Sequence, residues 1–215
     1  MKRRSNLFII LALAIIGASY LTYAVVIDKS LWMDKWGEAI LPAFHHARIR
    51  DFFTMITELG SRNGIIFFMM IFLLFLCLKR DWLGSFLLFI GVLLGNELNI
   101  FIKESTRRER PRIDGAIDAL GYSFPSGHAM VSVICFGLIV YYLRRYVQSR
   151  KAVYWIGIAG FILTFLIGIS RFVLEAHYIS DVLAGFLFGF LFLLVVIGVD
   201  QLSRSWIESD QDIRL

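Results

Sequence analysis

The sequence predicts an all-α membrane protein, a single domain over residues 1–215 folded as a polytopic six-transmembrane-helix bundle with interfacial helical segments. Three observations predict it. Apolar residues make up 58% of the 215-residue chain, above the roughly 45–50% of a soluble domain. They are gathered into runs, several of them near the about 20 residues a helix needs to cross a hydrocarbon core, where every backbone amide must be paired inside the segment. The positive charges, 22 Lys and Arg against 17 Asp and Glu, fall mostly in the connections between the runs.

The first run, Leu7 to Ile27, follows Lys2, Arg3 and Arg4. Its apolar length exceeds the about 7–15 residues of a signal-peptide core, and no small-x-small site follows, so it is expected to stay as an uncleaved anchor. Residues 28–63 form a longer connection with Trp32 and Trp36 one turn apart, then Phe44, Phe52 and Phe53. Indole rings favour the headgroup region, so this segment reads either as an interfacial helix at the rim of the bundle or as a packed connector. His45 and His46 lie here without a metal partner at a recognisable spacing and receive no chemistry. The remaining runs are Gly64 to Leu78, Leu83 to Ile102, Ala129 to Leu143, Ala152 to Ile169 and Tyr178 to Val199. The second and fourth of the six are short, and their helices are expected to extend into flanking residues. Cys77 and Cys135 sit inside apolar runs with no CxxC pattern and read as small buried hydrophobes. Gly185 and Gly189 form a small-xxx-small pair for close helix packing within the bundle, which leaves the oligomeric state open.

Charge sets the orientation and excludes one partner class. With the first helix starting inside, the inner segments carry Lys2, Arg3, Arg4, Lys79, Arg80, Arg144, Arg145, Arg150, Lys151, Arg204 and Arg214 in short stretches. The positive-inside bias then places both termini in the cytoplasm. The net charge of +5 comes with no basic arm and no nucleic-acid-binding pattern, so nucleic acid is not an expected partner.

Threading six helices back and forth brings the end of the third, the start of the fourth and the connection between the fifth and sixth to one face, the outer one. That face carries Lys103, Arg107, Arg108, Arg110 and Arg112; then Pro125, Ser126, Gly127 and His128; then Ser170, Arg171, His177 and Asp181. One cation at a boundary is ordinarily a snorkelling anchor. Clustered cations, a helix N-terminus with free amides and two histidines describe a pocket for a tetrahedral oxyanion. No metal cage is legible, so the cations would neutralise the phosphate themselves. Asn96, Asn99 and Lys103 share a helical stripe, where the amides either support the site from below or bond another helix. Glu97 is an intramembrane acid without a nameable partner.

Three segments carry a family resemblance: Lys103 to Pro111, reading KESTRRERP; Pro125 to His128, reading PSGH; and Ser170 to Asp181, reading SRFVLEAHYISD. In order, spacing and placement at helix ends they closely resemble the type 2 phosphatidic acid phosphatase superfamily, which includes bacterial phosphatidylglycerophosphate and undecaprenyl pyrophosphate phosphatases. Glu175 occupies a variable position where a small residue is often found. The resemblance implies a bacterial cell-membrane enzyme without a cofactor, hydrolysing a lipid phosphate or pyrophosphate through a phosphohistidine. It makes His177 the nucleophile. Asp181, at i+4 and about 6 Å along a helix axis, would hold one ring nitrogen and leave the other to attack. His128 becomes general acid and then base, while Lys103, Arg110, Ser126, Gly127 and Arg171 bind phosphate oxygens. Arg107, Arg108 and Arg112 would touch a second phosphate or headgroups, or serve as interfacial charges. Undecaprenyl pyrophosphate, phosphatidylglycerophosphate and phosphatidic acid are not separated by these residues. Two rivals stand beside the lipid phosphatase: a phosphatase for a soluble ester, and an anion transporter with a polar path through the bundle.

Overall fold

The computed structural model describes residues 2–28, 31–111 and 121–213, with side chains over 8–28, 31–111 and 121–209. Arg112 and Arg214 lie outside the described residues. The chain runs through α1 (Lys2–Asp28), α2 (Trp32–Ile40), a 3-10 turn (Leu41–Phe44), α3 (Ala47–Leu59), α4 (Arg62–Leu78), α5 (Trp82–Thr106), α6 (Gly127–Leu143), α7 (Arg150–Val173) and α8 (Ile179–Ile213).

Side-chain caps set several of these starts, each accepting one of the amides a helix leaves unpaired in its first turn. Ser61 accepts from the Gly64 amide at 3.2 Å, Asp81 from Gly84 at 2.9 Å and Ser149 from Ala152 at 3.3 Å. Helix α5 stops because Arg107 turns left-handed (φ 48°) and returns its N–H to the Lys103 carbonyl, an αL cap.

Four helices among the described residues are long and apolar enough to cross a membrane: Phe8–Asp28, Trp82–Thr106, Arg150–Val173 and Ile179–Ser209. A fifth span arises if α3 and α4, bent by 48° at their junction, are taken together. The fourth predicted run forms α6, 17 residues or about 25 Å, short of a full crossing by length. It is hydrophobic all round because it is the central helix, packed on α8, α7, α5 and α4, with Met130, Ile134, Cys135 and Leu138 fully buried. Helix α8 begins at Ile179, one residue after the predicted start, and continues well beyond Val199.

Gly185 and Gly189 are where α8 lies against α6. A Cβ at Gly185 would meet the Ser126 carbonyl oxygen at 2.6 Å, and one at Gly189 the Met130 carbonyl oxygen at 2.7 Å. Helix α2 is amphipathic: Trp32 and Trp36 are 70% and 57% exposed, whereas Asp34 and Gly37 face inward. Gly37 is close enough to Phe172 that an added Cβ would sit 3.0 Å from its ring.

The end of the bundle formed by the α4–α5 and α6–α7 connections holds an ionic network that sequence inspection did not find. Asp200, fully buried, accepts from Tyr141, from Arg145 and, at 3.0 Å, from Arg204. Asp81 accepts from Arg204 at 2.7 Å and Tyr146 at 3.0 Å. Burial pushes the Asp81 carboxyl upward, but Arg204, the Gly84 amide and Tyr146 together hold it below the usual range.

Candidate active site

The opposite end gathers the three motif segments. Segment 121–126 runs along the last turns of α5. Lys103 Nζ donates to the Tyr122 carbonyl at 2.7 Å, Thr106 Oγ1 to the Phe124 carbonyl at 3.1 Å, and Asn99 Nδ2 to the Pro125 carbonyl at 3.2 Å. These bonds fix where α6 begins. Ser126 caps it, its backbone N–H donates to the Asp181 carbonyl at 2.9 Å, and Gly127 opens its first turn. Only glycine fits that last position comfortably, since a Cβ would lie 3.0 Å from Asn99 Oδ1.

His177 is not on a helix. It stands two residues before α8, and its contact with Asp181 comes from the turn rather than from a shared helical face. The Tyr178 amide donates to Asp181 Oδ2 at 3.0 Å, the backbone half of a capping box, which brings that oxygen 3.5 Å from His177 Nδ1. Ser123 joins them: its hydroxyl lies 3.3 Å from Nδ1 and donates to Asp181 Oδ2. On the other ring nitrogen, Arg110 NH1 approaches Nε2 at 3.1 Å while also donating to the Ala176 carbonyl at 2.9 Å. A guanidinium has no acceptor, so Nε2 must accept and the ring proton belongs on Nδ1, facing Asp181. The tautomer with its lone pair on Nε2 is therefore the one these neighbours select. Burial pushes the imidazole down from 6.5 to about 3; Asp181 pulls the other way, and Arg110 and Lys103 reinforce the drop.

Arg108 sits at the centre of the polar contacts, 2% exposed, with NH1 2.6 Å from Asp181 Oδ1 and 2.7 Å from Ser180 Oγ, and NH2 2.5 Å from Asp34 Oδ2. Its guanidinium carbon lies 4.2 Å from the centre of the Tyr178 ring. Sequence left Arg108 open to a second phosphate, a headgroup or an interfacial position; its guanidinium lies buried between the carboxylates of Asp34 and Asp181. Burial works against that charge, and Asp181 and Asp34 more than offset it, raising the guanidinium above its ordinary value.

The remaining motif residues surround the dyad. His128 is in electrostatic reach of Arg171, His177, Lys103 and Arg110. The α3–α4 corner backs it, for a Cβ on Gly60 would lie 3.4 Å from its ring. Arg171, 3% exposed, donates through NH1 to Thr57 Oγ1 at 3.0 Å, and its buried Nε has no hydrogen-bond partner among the described residues. A buried N–H of that kind suits an oxyanion acceptor. Arg107 is exposed and donates to the Glu104 carbonyl of its own helix at 3.2 Å. Asn96 and Glu97 are exposed on the outer side of α5, and of the two amides on the stripe only Asn99 bonds to the site segment. Among the described residues no group of three or more His, Cys, Asp or Glu is placed to hold a metal ion.

Four residues outside the motif segments contact residues within them: Asp34 on Arg108, Thr57 on Arg171, Ser123 on His177 and His45 on Glu175. Glu175 (φ 58°) is 3.1 Å from Arg50 and 3.3 Å from His45. His45 and Glu175 line a cavity of about 480 Å³ that also touches Glu38, Arg110 and His177. Asp34 alone was within reach of sequence reasoning, as an acid on the helix face opposite Trp32 and Trp36.

Known proteins resemble this chain in sequence and fold. Over 203 residues the chain is 31% identical to phosphatidylglycerophosphatase B of Bacillus subtilis (strain 168), covering 90% of this chain and 91% of that protein. The crystal structure of a transmembrane PAP2-type phosphatidylglycerolphosphate phosphatase from Bacillus subtilis superposes with a TM-score of 0.80 at 26% identity, covering 89% of this chain and 96% of that one. Aquifex aeolicus LpxE shares the fold, with a TM-score of 0.60 at 22% identity over 80% of this chain and 98% of its own. The sequence profile of the PAP2 superfamily matches residues 7–204. With motif segments, fold and relatives in agreement over nearly its whole length, the chain belongs to the PAP2 superfamily, as a lipid phosphatase of the membrane.

Proposed function

We propose that the chain removes the terminal phosphate of phosphatidylglycerophosphate through a phosphohistidine on His177. The observation that carries the mechanism is the pair of contacts on that imidazole: Nδ1 toward Asp181 and Ser123, Nε2 toward Arg110. As substrate binds, Arg110 NH1 transfers its donation from Nε2 to a phosphate oxygen; the freed Nε2 lone pair attacks phosphorus as the ester P–O bond breaks, and His128 gives its proton to the leaving alkoxide. His128 then takes a proton from water, whose oxygen attacks phosphorus, breaks the P–N bond and frees phosphate and the neutral imidazole. Lys103, Arg110, Arg171 and the α6 N-terminus neutralise the charge on the equatorial oxygens.

The substrate reading rests on the relative at 31% identity, named for this lipid. We place six spans in the bilayer, with α4 and the short α6 completing the four long helices. The site faces outside and both termini face the cytoplasm, supported by Lys79, Arg80, Arg144, Arg145, Arg150 and Lys151 at the opposite end. An anion path is disfavoured because Asn96 and Glu97 face away from the bundle interior.

Phosphate release measured on phosphatidylglycerophosphate, phosphatidic acid, undecaprenyl pyrophosphate and a water-soluble ester, each with and without chelator, tests this. Fastest turnover on phosphatidylglycerophosphate, unchanged by chelator, is expected; preference for the soluble ester or a strict metal requirement overturns it. His177→Ala should lose at least about 10³-fold in kcat while remaining folded.

A further inference from the structure

We propose that Asp34 is a positioning residue of the hydrolytic site, holding Arg108 in the one pose from which its guanidinium also grips Asp181. This inference rests on the reading of His177 and Asp181 as the working dyad.

Asp34 comes from α2, nearly 150 residues from Asp181 in the chain and outside every motif segment. It is 3% exposed, and both its oxygens are engaged. Oδ2 takes Arg108 NH2 at 2.5 Å and Ser180 Oγ at 2.8 Å, while Oδ1 takes the Ser180 amide at 3.0 Å. Ser180 also accepts from Arg108 NH1, the same nitrogen that reaches Asp181 Oδ1 at 2.6 Å. A guanidinium is planar, so fixing NH2 on one carboxylate fixes where NH1 can point. Asp34 thus decides both the rotation of the Arg108 plane and the place of the first turn of α8, which carries Asp181. Asp181 in turn holds Nδ1 of His177. The chain of contacts is Asp34 to Arg108 to Asp181 to His177, each within 3.5 Å of the next.

The cluster places one cation between two buried carboxylates, an arrangement sustained only when every partner is present. Removing Asp34 frees the Arg108 plane to rotate about its bonds to Asp181 and loosens the imidazole, although no atom of Asp34 reaches His177. Asp34 acts on the dyad only through Arg108 and Ser180.

The test is a double-mutant cycle on the full-length protein in lipid, with kcat and KM measured separately. Asp34→Ala is expected to lower kcat about tenfold to a hundredfold, as misplacements of an ångström or less do, with KM within about threefold. Asp34→Asn keeps one acceptor oxygen, enough for Arg108 but leaving its amide nitrogen against the Ser180 amide, and should recover only part of the lost kcat. In an Arg108→Ala background, Asp34→Ala should cost less than about twofold, because the pair acts as one unit. Full additivity on Arg108→Ala, an unchanged kcat in Asp34→Ala, or a loss matched entirely by the unfolded fraction each overturns the proposal. His177→Ala run in parallel separates the two readings. If it abolishes turnover while Asp34→Ala does not, the positioning inference alone falls; if it retains turnover, both fall.

Discussion

Replacing Gly185 by alanine tests whether the crossing of α8 over α6 sets the geometry of the site. The added Cβ would stand 2.6 Å from the Ser126 carbonyl oxygen and 2.9 Å from Ala129 Cβ. Carbon–oxygen contacts settle at about 3.3 Å or more, so the helices must part by about 0.7 Å there. The displaced atom belongs to the residue that caps α6, binds the Asp181 carbonyl and precedes Gly127 and His128. A shift approaching 1 Å between reacting groups costs up to about a hundredfold in rate, so kcat should fall roughly tenfold or more. Overpacking of this kind destabilises by about 1–3 kcal/mol, which leaves a folded protein to assay. Gly198→Ala, on the same helix with nothing within 4 Å of the new carbon, is the control and should behave as the parent. The assay is phosphate release from lipid, with a thermal melt of each variant. Turnover of Gly185→Ala within twofold of the parent, or an equal loss in Gly198→Ala, would refute the reasoning.

Protonation of His177 should not shape the rate near neutrality: with its imidazole held at about 3, the acid limb it contributes falls only as pH drops through that region, read from kcat/KM against pH. The same depression makes the folded state bind fewer protons than the unfolded chain between about 3 and 6.5, so denaturation midpoints should rise with pH across that window. Asp200→Ala strips Arg145 and Arg204 of a shared buried carboxylate and should destabilise by about 2 kcal/mol, discounted because both guanidiniums keep one side exposed, with kcat on the remaining folded protein unchanged. Arg171→Lys keeps the charge but loses the planar donor set between Thr57 and the unsatisfied Nε, and a drop of about tenfold in kcat/KM is expected from steady-state kinetics.

Helix existence was legible because lipid forces long apolar runs into helices, and the site's location was legible because alternation of direction alone brings three helix ends together. What escaped is instructive about scale. His177 and Asp181 look like an i,i+4 helical pair, yet the helix starts between them, since Asp181 caps it through the Tyr178 amide. Arg108 could not be told from its neighbour Arg107 by sequence, because only packing decides which of two adjacent guanidiniums turns inward. Asp81 and Asp200, separated by more than a hundred residues, gave no local pattern; their link exists only once α5 and α8 lie side by side.

The two histidines are carried by helix starts that are tied to each other. His128 follows Gly127, which rests against Asn99, whereas His177 meets Ser123 and the carboxylate of Asp181. The amide of Ser126, the cap of α6, donates to the Asp181 carbonyl in the first turn of α8, so a shift of either helix start is passed directly to the other. The two imidazoles are thereby mounted on one linked part of the bundle rather than on two independent ones.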